Sequence, residues 1–162
     1  YVTTPKRTLS DTYSTLGLIE RSQDNIDEAI KMFAKAVETD GSNDLPRTNL
    51  AYTKFFQVFY ADQDDDRNTI LLTDEIYAAA DENLPAIDEA IALNPTRTHN
   101  YVSKTEILYA VRLLDLALGS ARRGLRYIDE DITLNPHGRE LQRKYIQELI
   151  EIITTEQSTS NT

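Results

Sequence analysis

Three segments of this sequence end alike, and that likeness limits what the chain can fold into. Asp27-Glu28-Ala29-Ile30 runs on to Ala36-Val37-Glu38-Thr39-Asp40-Gly41. Asp88-Glu89-Ala90-Ile91-Ala92-Leu93 ends at Asn94-Pro95, and Asp129-Glu130-Asp131-Ile132-Thr133-Leu134 ends at Asn135-Pro136. Each reads as the close of an amphipathic helix followed by a stop. Gly41 can take a left-handed cap, and neither proline can continue the helix before it. The residue before a proline is pushed out of helical angles, which marks Asn94 and Asn135 as boundaries. Self-similarity on this scale is the mark of a repeat protein.

Helix pairs fill the intervals. The pattern predicts a first pair over about 9–21 and 26–39, with Asn25 as N-cap and Glu28 reaching back to it. Ile26, Ala29, Ile30, Phe33, Ala36 and Val37 share one face of the second helix. Asp44 is expected to cap a helix running to about Tyr60, with Pro46 tolerated in its first turn. A long partner over about 69–93 carries Pro85, which predicts a kink or break near Asn83. A third pair is expected over about 98–116 and 120–134, turning at Gly119. A last helix is expected from Pro136 to about Thr154, with Asn135 as N-cap, and a polar, disordered tail over 155–162.

The stretch from Tyr13 to Ala36 resembles a tetratricopeptide repeat. Tyr13, Leu16-Gly17, Ala29, Phe33 and Ala36 fall at that family's spacing. Glu20 and Gly41 stand where the family often has tyrosine and proline. Small residues at Gly17, Ala29 and Ala36 let two helices approach, and Tyr13, Leu16 and Phe33 fill the space between them. The resemblance implies an all-α, tetratricopeptide-like superhelical array of about three antiparallel hairpins plus a C-terminal capping helix. Repeat one would span about 10–43, an extended repeat two 44–97, repeat three 98–135 and the cap 136–154, in one domain. The stops at 41, 95 and 136 are 54 and 41 residues apart, against about 34 in the family. Repeat two therefore carries an insertion, and repeat three has Lys104-Thr105 in place of Leu-Gly. The uneven lengths and the phrase Asn94-Pro95-Thr96-Arg97 are also similar in style to the repeat tails of bacterial O-antigen ligase and polymerase-type membrane proteins. The start at Tyr1 fits a processed chain or a piece of a longer one, and on that reading the segment is an accessory tail without activity of its own.

The formal net charge of −10, from 27 acidic and 17 basic residues, opposes binding to phosphate backbones and anionic lipid. No apolar run is long enough to insert this segment into a membrane. With no cysteine in the chain, disulfides, thiolate metal sites and cysteine nucleophiles are excluded. No nucleophile elbow, Walker loop or dinucleotide glycine motif is present. Asp62, Asp64 and Asp66 have the opening spacing of a calcium loop, but Arg67 replaces the turn glycine and Thr73 the closing glutamate. His99 and His137 lack a third ligand. The expectation is a non-catalytic protein without cofactor or metal, and the compartment is not legible.

The site expectation rests on Tyr52, Phe55, Phe56, Phe59 and Tyr60, which cover nearly the whole circumference of one helix. One face can be core; the remainder must meet a neighbour or a ligand. In the resembled fold the first helix of each pair lines a concave groove. The matching positions are Asp11, Ser14, Leu18 and Arg21; then Leu45, Thr48, Tyr52, Phe55 and Phe56; then His99, Val102, Glu106 and Tyr109. The resemblance thus nominates Tyr52, Phe55, Phe56, Tyr109, Leu18 and Asn49 as groove residues for a protein or peptide partner. Some relatives clamp acidic chaperone tails with a Lys/Asn/Asn/Lys/Arg set. The corresponding residues are Ser14, Leu18, Asn49, His99 and Ser103, and only Asn49 agrees.

Overall fold

Thr4 opens the first helix by accepting the Arg7 N–H on its hydroxyl at 3.1 Å, with Pro5 in the first turn where its missing N–H is not needed. The computed structural model describes residues 3–61, 63 and 70–160, and among these all regular structure is helical. The helices are α1 (Pro5–Ser22), α2 (Ile26–Thr39), α3 (Asp44–Ala61), α4 (Asp74–Leu93), α5 (Thr98–Ala110), α6 (Leu114–Tyr127) and α7 (Pro136–Ser160). They form two compact units, residues 1–93 and 94–162. In the first, α1 pairs with α2, α2 with α3, and α3 with α4; in the second, α5 pairs with α6 and α6 with α7. The all-α, tetratricopeptide-like hairpin plan is therefore what the chain adopts.

The first hairpin closes where the sequence places it. Phe33 is fully buried, as are Ala29 and Ala36. A Cβ on Gly17 would lie 2.6 Å from the Phe33 ring, so the helices meet at a distance only glycine allows. Beyond α1, Asp24 takes a left-handed φ of 63°, and the Asn25 N–H bonds the Glu20 carbonyl at 2.9 Å. The Asn25 amide does not cap α2; it donates to the Glu20 carboxylate at 2.9 Å, so the expected capping box is absent.

The third pair departs from expectation. Its turn falls at 111–113, and exposed Gly119 lies inside α6. Arg112 adopts a φ of 63°, and the Leu113 N–H bonds the Leu108 carbonyl at 2.9 Å. This is the Asp24 turn repeated. A left-handed arginine costs about 1–2 kcal/mol, so nothing in its chemistry signals a turn. The helix end expected at Leu134 falls instead at Tyr127. Asp131 then holds the start of α5: one oxygen accepts from the Thr98 N–H and hydroxyl, each at 2.8 Å, and the other from Thr133. Asp40 does the same work in the first hairpin, accepting from Ser42 and pairing with Arg7 of α1 at 3.2 Å.

Two further expectations change. α4 begins at Asp74, with the Thr73 hydroxyl accepting from Ile76, and it continues through Pro85. Ile76, Ala79 and Ala80 are buried before the proline and Ile87 and Ala90 after it. That two-sided burial outweighs the penalty of about 3 kcal/mol for an interior proline. α7 runs past Thr154 to Ser160, because its last turns are tied down by side chains described below. Asn135 caps it as expected, accepting the Gly138 N–H at 2.7 Å. The calcium-like run Asp62, Asp64–Asp66 and Arg67 lies outside the described residues.

Candidate functional site

Helix α3 divides its aromatic run by face. Phe55 and Phe59 turn inward and are buried. Tyr52, Phe56 and Tyr60, one turn apart, form a ladder on the outer side, with ring centroids 4.5 and 5.6 Å apart. Tyr52 and Phe56 are half-buried, whereas Tyr60 is 67% exposed. Phe55 braces the ladder from behind, edge-on to Phe56 at 4.9 Å.

The α1–α2 turn supplies the facing wall. Arg21 places its guanidinium 5.6 Å from the Tyr52 ring and 5.7 Å from the Phe33 ring, and donates to the Thr53 hydroxyl at 3.2 Å. Thr53 in turn donates to the Asn49 carbonyl. Gln57 of α3 donates its amide to Asp27 in the first turn of α2 at 2.7 Å, fixing the register of helix against turn. Between these walls is an open cleft of about 380 Å³ lined by Arg21, Asp24, Ile26, Tyr52, Phe56 and Tyr60, with Thr53 and Gln57 completing it. Its chemistry is that of a recognition surface. It offers aromatic faces, one stacked guanidinium and one exposed carboxylate, with no aligned nucleophile and base.

The same junction recurs in the second unit with a different filling. Gln157 of α7 donates to Asp115 in the first turn of α6 at 2.7 Å, matching Gln57 and Asp27. One residue earlier, Glu156 accepts from the Tyr109 hydroxyl and pairs with Arg112 at 2.6 Å. Burial, with the Glu156 carboxylate beside it, raises the Tyr109 phenol above its ordinary value. Tyr145 of α7 likewise donates to Glu106 of α5, and burial together with that carboxylate raises its phenol as well. Two α5 residues expected in the groove, Glu106 and Tyr109, are thus engaged by α7.

Of the six nominated residues, the structure brings Tyr52 and Phe56 into one cleft. Phe55 and Asn49 are 0% and 1% exposed, so both are core supports rather than surface contacts. Leu18 lies on the exposed side of α1 and does not line the cleft, and Tyr109 belongs to the second unit. Ser14 and Ser103 are also buried. Sequence reasoning missed Asp24 and Gln57. The signal for Gln57 was its recurrence, as Gln157, opposite the aspartate of an (Ile/Leu)-Asp-x-Ala helix start at Ile26 and Leu114. Among the described residues no three His, Asp or Glu side chains form a metal-ligand cluster, and no helix is long and apolar enough to cross a membrane.

No protein-family model and no curated protein sequence matches the chain. Solved structures do. The first TPR of Spaghetti (RPAP3), bound to the HSP90 peptide SRMEEVD, matches over 89% of this chain and 94% of that one, with 18% identity and a TM-score of 0.56. The first TPR domain of human RPAP3, determined by NMR, matches over 92% and 98%, with 17% identity and a TM-score of 0.57. These likenesses establish the tetratricopeptide-like fold. They give no support to an O-antigen ligase-type tail.

Proposed function

We propose that this chain is a non-catalytic scaffold that binds a peptide or protein segment, with the cleft between α3 and the α1–α2 turn as a contact site. The observation that carries the reading is the Tyr52–Phe56–Tyr60 ladder. Phe55 and Phe59 already serve the core, and the fold has no structural need for a second aromatic row that leaves Tyr60 67% exposed. Rigid aromatic side chains are the usual anchors of recognition surfaces, since they offer large contact area at low entropic cost. A bound peptide on one tetratricopeptide-fold neighbour supports the same class of role. The acidic-tail clamp does not carry over, because Ser14, Leu18, His99 and Ser103 replace its polar and basic residues.

Selection of short displayed peptides on the full chain tests the reading. Enriched peptides should lose about tenfold or more in affinity with Phe56→Ala or Tyr60→Ala, the loss of one anchor. Tyr60→Ala should leave helical content and unfolding unchanged. A selection that enriches nothing, or peptides indifferent to both substitutions, would refute the site.

A further inference from the structure

The two units build one junction with opposite charges. In the second, the left-handed turn residue is Arg112, and Glu156 of the following helix pairs with it at 2.6 Å. In the first, the left-handed turn residue is Asp24. The Gln57–Asp27 and Gln157–Asp115 bonds set the correspondence, so the residue in the place of Glu156 is Phe56. The first junction therefore presents a carboxylate and a row of rings where the second presents a completed ion pair. Asp24 is exposed, and no described side chain pairs with it. The charge of the chain is divided the same way. Residues 1–93 hold 18 acidic and 8 basic side chains, and residues 94–162 hold 9 of each, so the whole net charge of −10 belongs to the unit with the open cleft.

We propose that this cleft takes a lysine or arginine side chain of a basic peptide. The inference rests on the peptide-binding reading above and gives the ligand its chemistry. The cationic head meets Asp24, and its aliphatic stem lies on Phe56 and Tyr60, whose ring faces attract a cation as well as apolar surface. Arg21 lines the same cleft, at its Tyr52 end. Its guanidinium is committed to Phe33, Tyr52 and Thr53, and Tyr60 lies about 12 Å further along α3 than Tyr52 at the helical rise. The negative field of residues 1–93 favours encounter with a basic segment and disfavours an acidic one.

The test uses the full chain and three fluorescent peptides that share one leucine- and phenylalanine-containing core. Their flanks carry lysine and arginine, glutamate and aspartate, or glutamine. Anisotropy should show the basic peptide binding tightest, the glutamine peptide more weakly and the acidic peptide weakest, with the basic advantage shrinking as salt rises. Asp24→Asn, which tolerates the left-handed backbone, should weaken the basic peptide about threefold to tenfold and leave the glutamine peptide unchanged. The pair Asp24→Arg with Phe56→Glu copies the second unit's ion pair and should abolish binding while helical content stays intact. Glutamine or acidic peptides that bind as well as the basic one, and lose affinity with Tyr60→Ala, would overturn the charge assignment and leave the scaffold reading standing. Binding of all three that ignores Phe56→Ala and Tyr60→Ala would overturn both.

Discussion

The most crowded of the glycines makes a quantitative prediction at Gly17. An alanine there puts its Cβ 2.6 Å from Cε1 and 2.7 Å from Cδ1 of Phe33. Real Cβ atoms do not approach so closely, so the ring or a helix must move by close to an ångström. Phe33 is fully buried and cannot swing into solvent. Overpacking of this kind costs about 1–3 kcal/mol. Replacing a mid-helix glycine by alanine returns about 1 kcal/mol of helix propensity. The net expectation is destabilisation of up to about 2 kcal/mol, the difference between those terms. Gly119 is the internal control. It too is mid-helix, and its added Cβ meets nothing within 4 Å. Gly119→Ala should therefore stabilise by about 0.5–1 kcal/mol. Denaturant unfolding followed by circular dichroism reads both, and Phe33→Leu combined with Gly17→Ala should recover part of the loss as a positive coupling. If Gly17→Ala stabilises as much as Gly119→Ala, the tight helix contact does not exist and the hairpin argument fails with it.

The buried aspartate of the second unit predicts a pH dependence. Burial would raise the Asp131 carboxyl, but hydrogen bonds from Thr133 and Thr98 outweigh it and hold it below its ordinary 3.8. A lowered folded-state value contributes stability above the unfolded value, and that stability is lost as pH falls through the folded one. Protection from hydrogen exchange over 98–134, relative to the intrinsic rate at each pH, should therefore fall below about pH 4. Asp131→Asn should flatten that response and destabilise at neutral pH by about 1–3 kcal/mol, since the amide presents donors to donors. Acid insensitivity in the unsubstituted protein would contradict the assignment. Glu156→Gln should loosen only the end of α7, raising exchange over 153–160 by a few-fold and lowering global stability by less than about 1 kcal/mol. Unchanged protection there would mean that the Tyr109–Glu156–Arg112 cluster does not hold the helix end.

The legible parts of this fold were those where side-chain type and backbone demand coincide. Gly17, Ala29, Phe33 and Ala36 gave the first hairpin because close approach admits only small residues opposite one large ring. The bounds of α2 came from the same pattern. The third pair failed at a single residue. Asp24 and Arg112 hold the same left-handed turn, but aspartate is a familiar occupant of it and arginine is not. Gly119 then looked like the only available break, although it sits on the exposed face of α6 and serves no turn. Pro95 marked the end of α4 at Leu93 correctly, whereas Pro136 marked only the start of α7, and α6 stops earlier, at Tyr127. The first and third hairpins end on Asp40-x-Ser42 and Asp131-x-Thr133, whose side-chain bonds hold the start of the hairpin's own first helix, and those pairs are quieter in sequence than a proline.

The candidate site was half legible for a related reason. An aromatic row on every side of α3 shows that some ring must face outward, but composition cannot say which, because the period of the helix fits either assignment. Packing decides it: α2 and α4 both lie against α3, Phe55 and Phe59 are taken into the core, and Tyr52, Phe56 and Tyr60 remain. Recurrence then supplies what periodicity does not. The two units share a turn, an (Ile/Leu)-Asp-x-Ala helix start and a glutamine that bonds its aspartate, so the surrounding geometry is held constant while Asp24 stands for Arg112 and Phe56 for Glu156. A junction whose own helix supplies the counter-charge needs nothing more. One that puts a carboxylate in place of the arginine and a ring in place of the glutamate leaves that carboxylate open to a partner's cation, which is the basis of the proposal above.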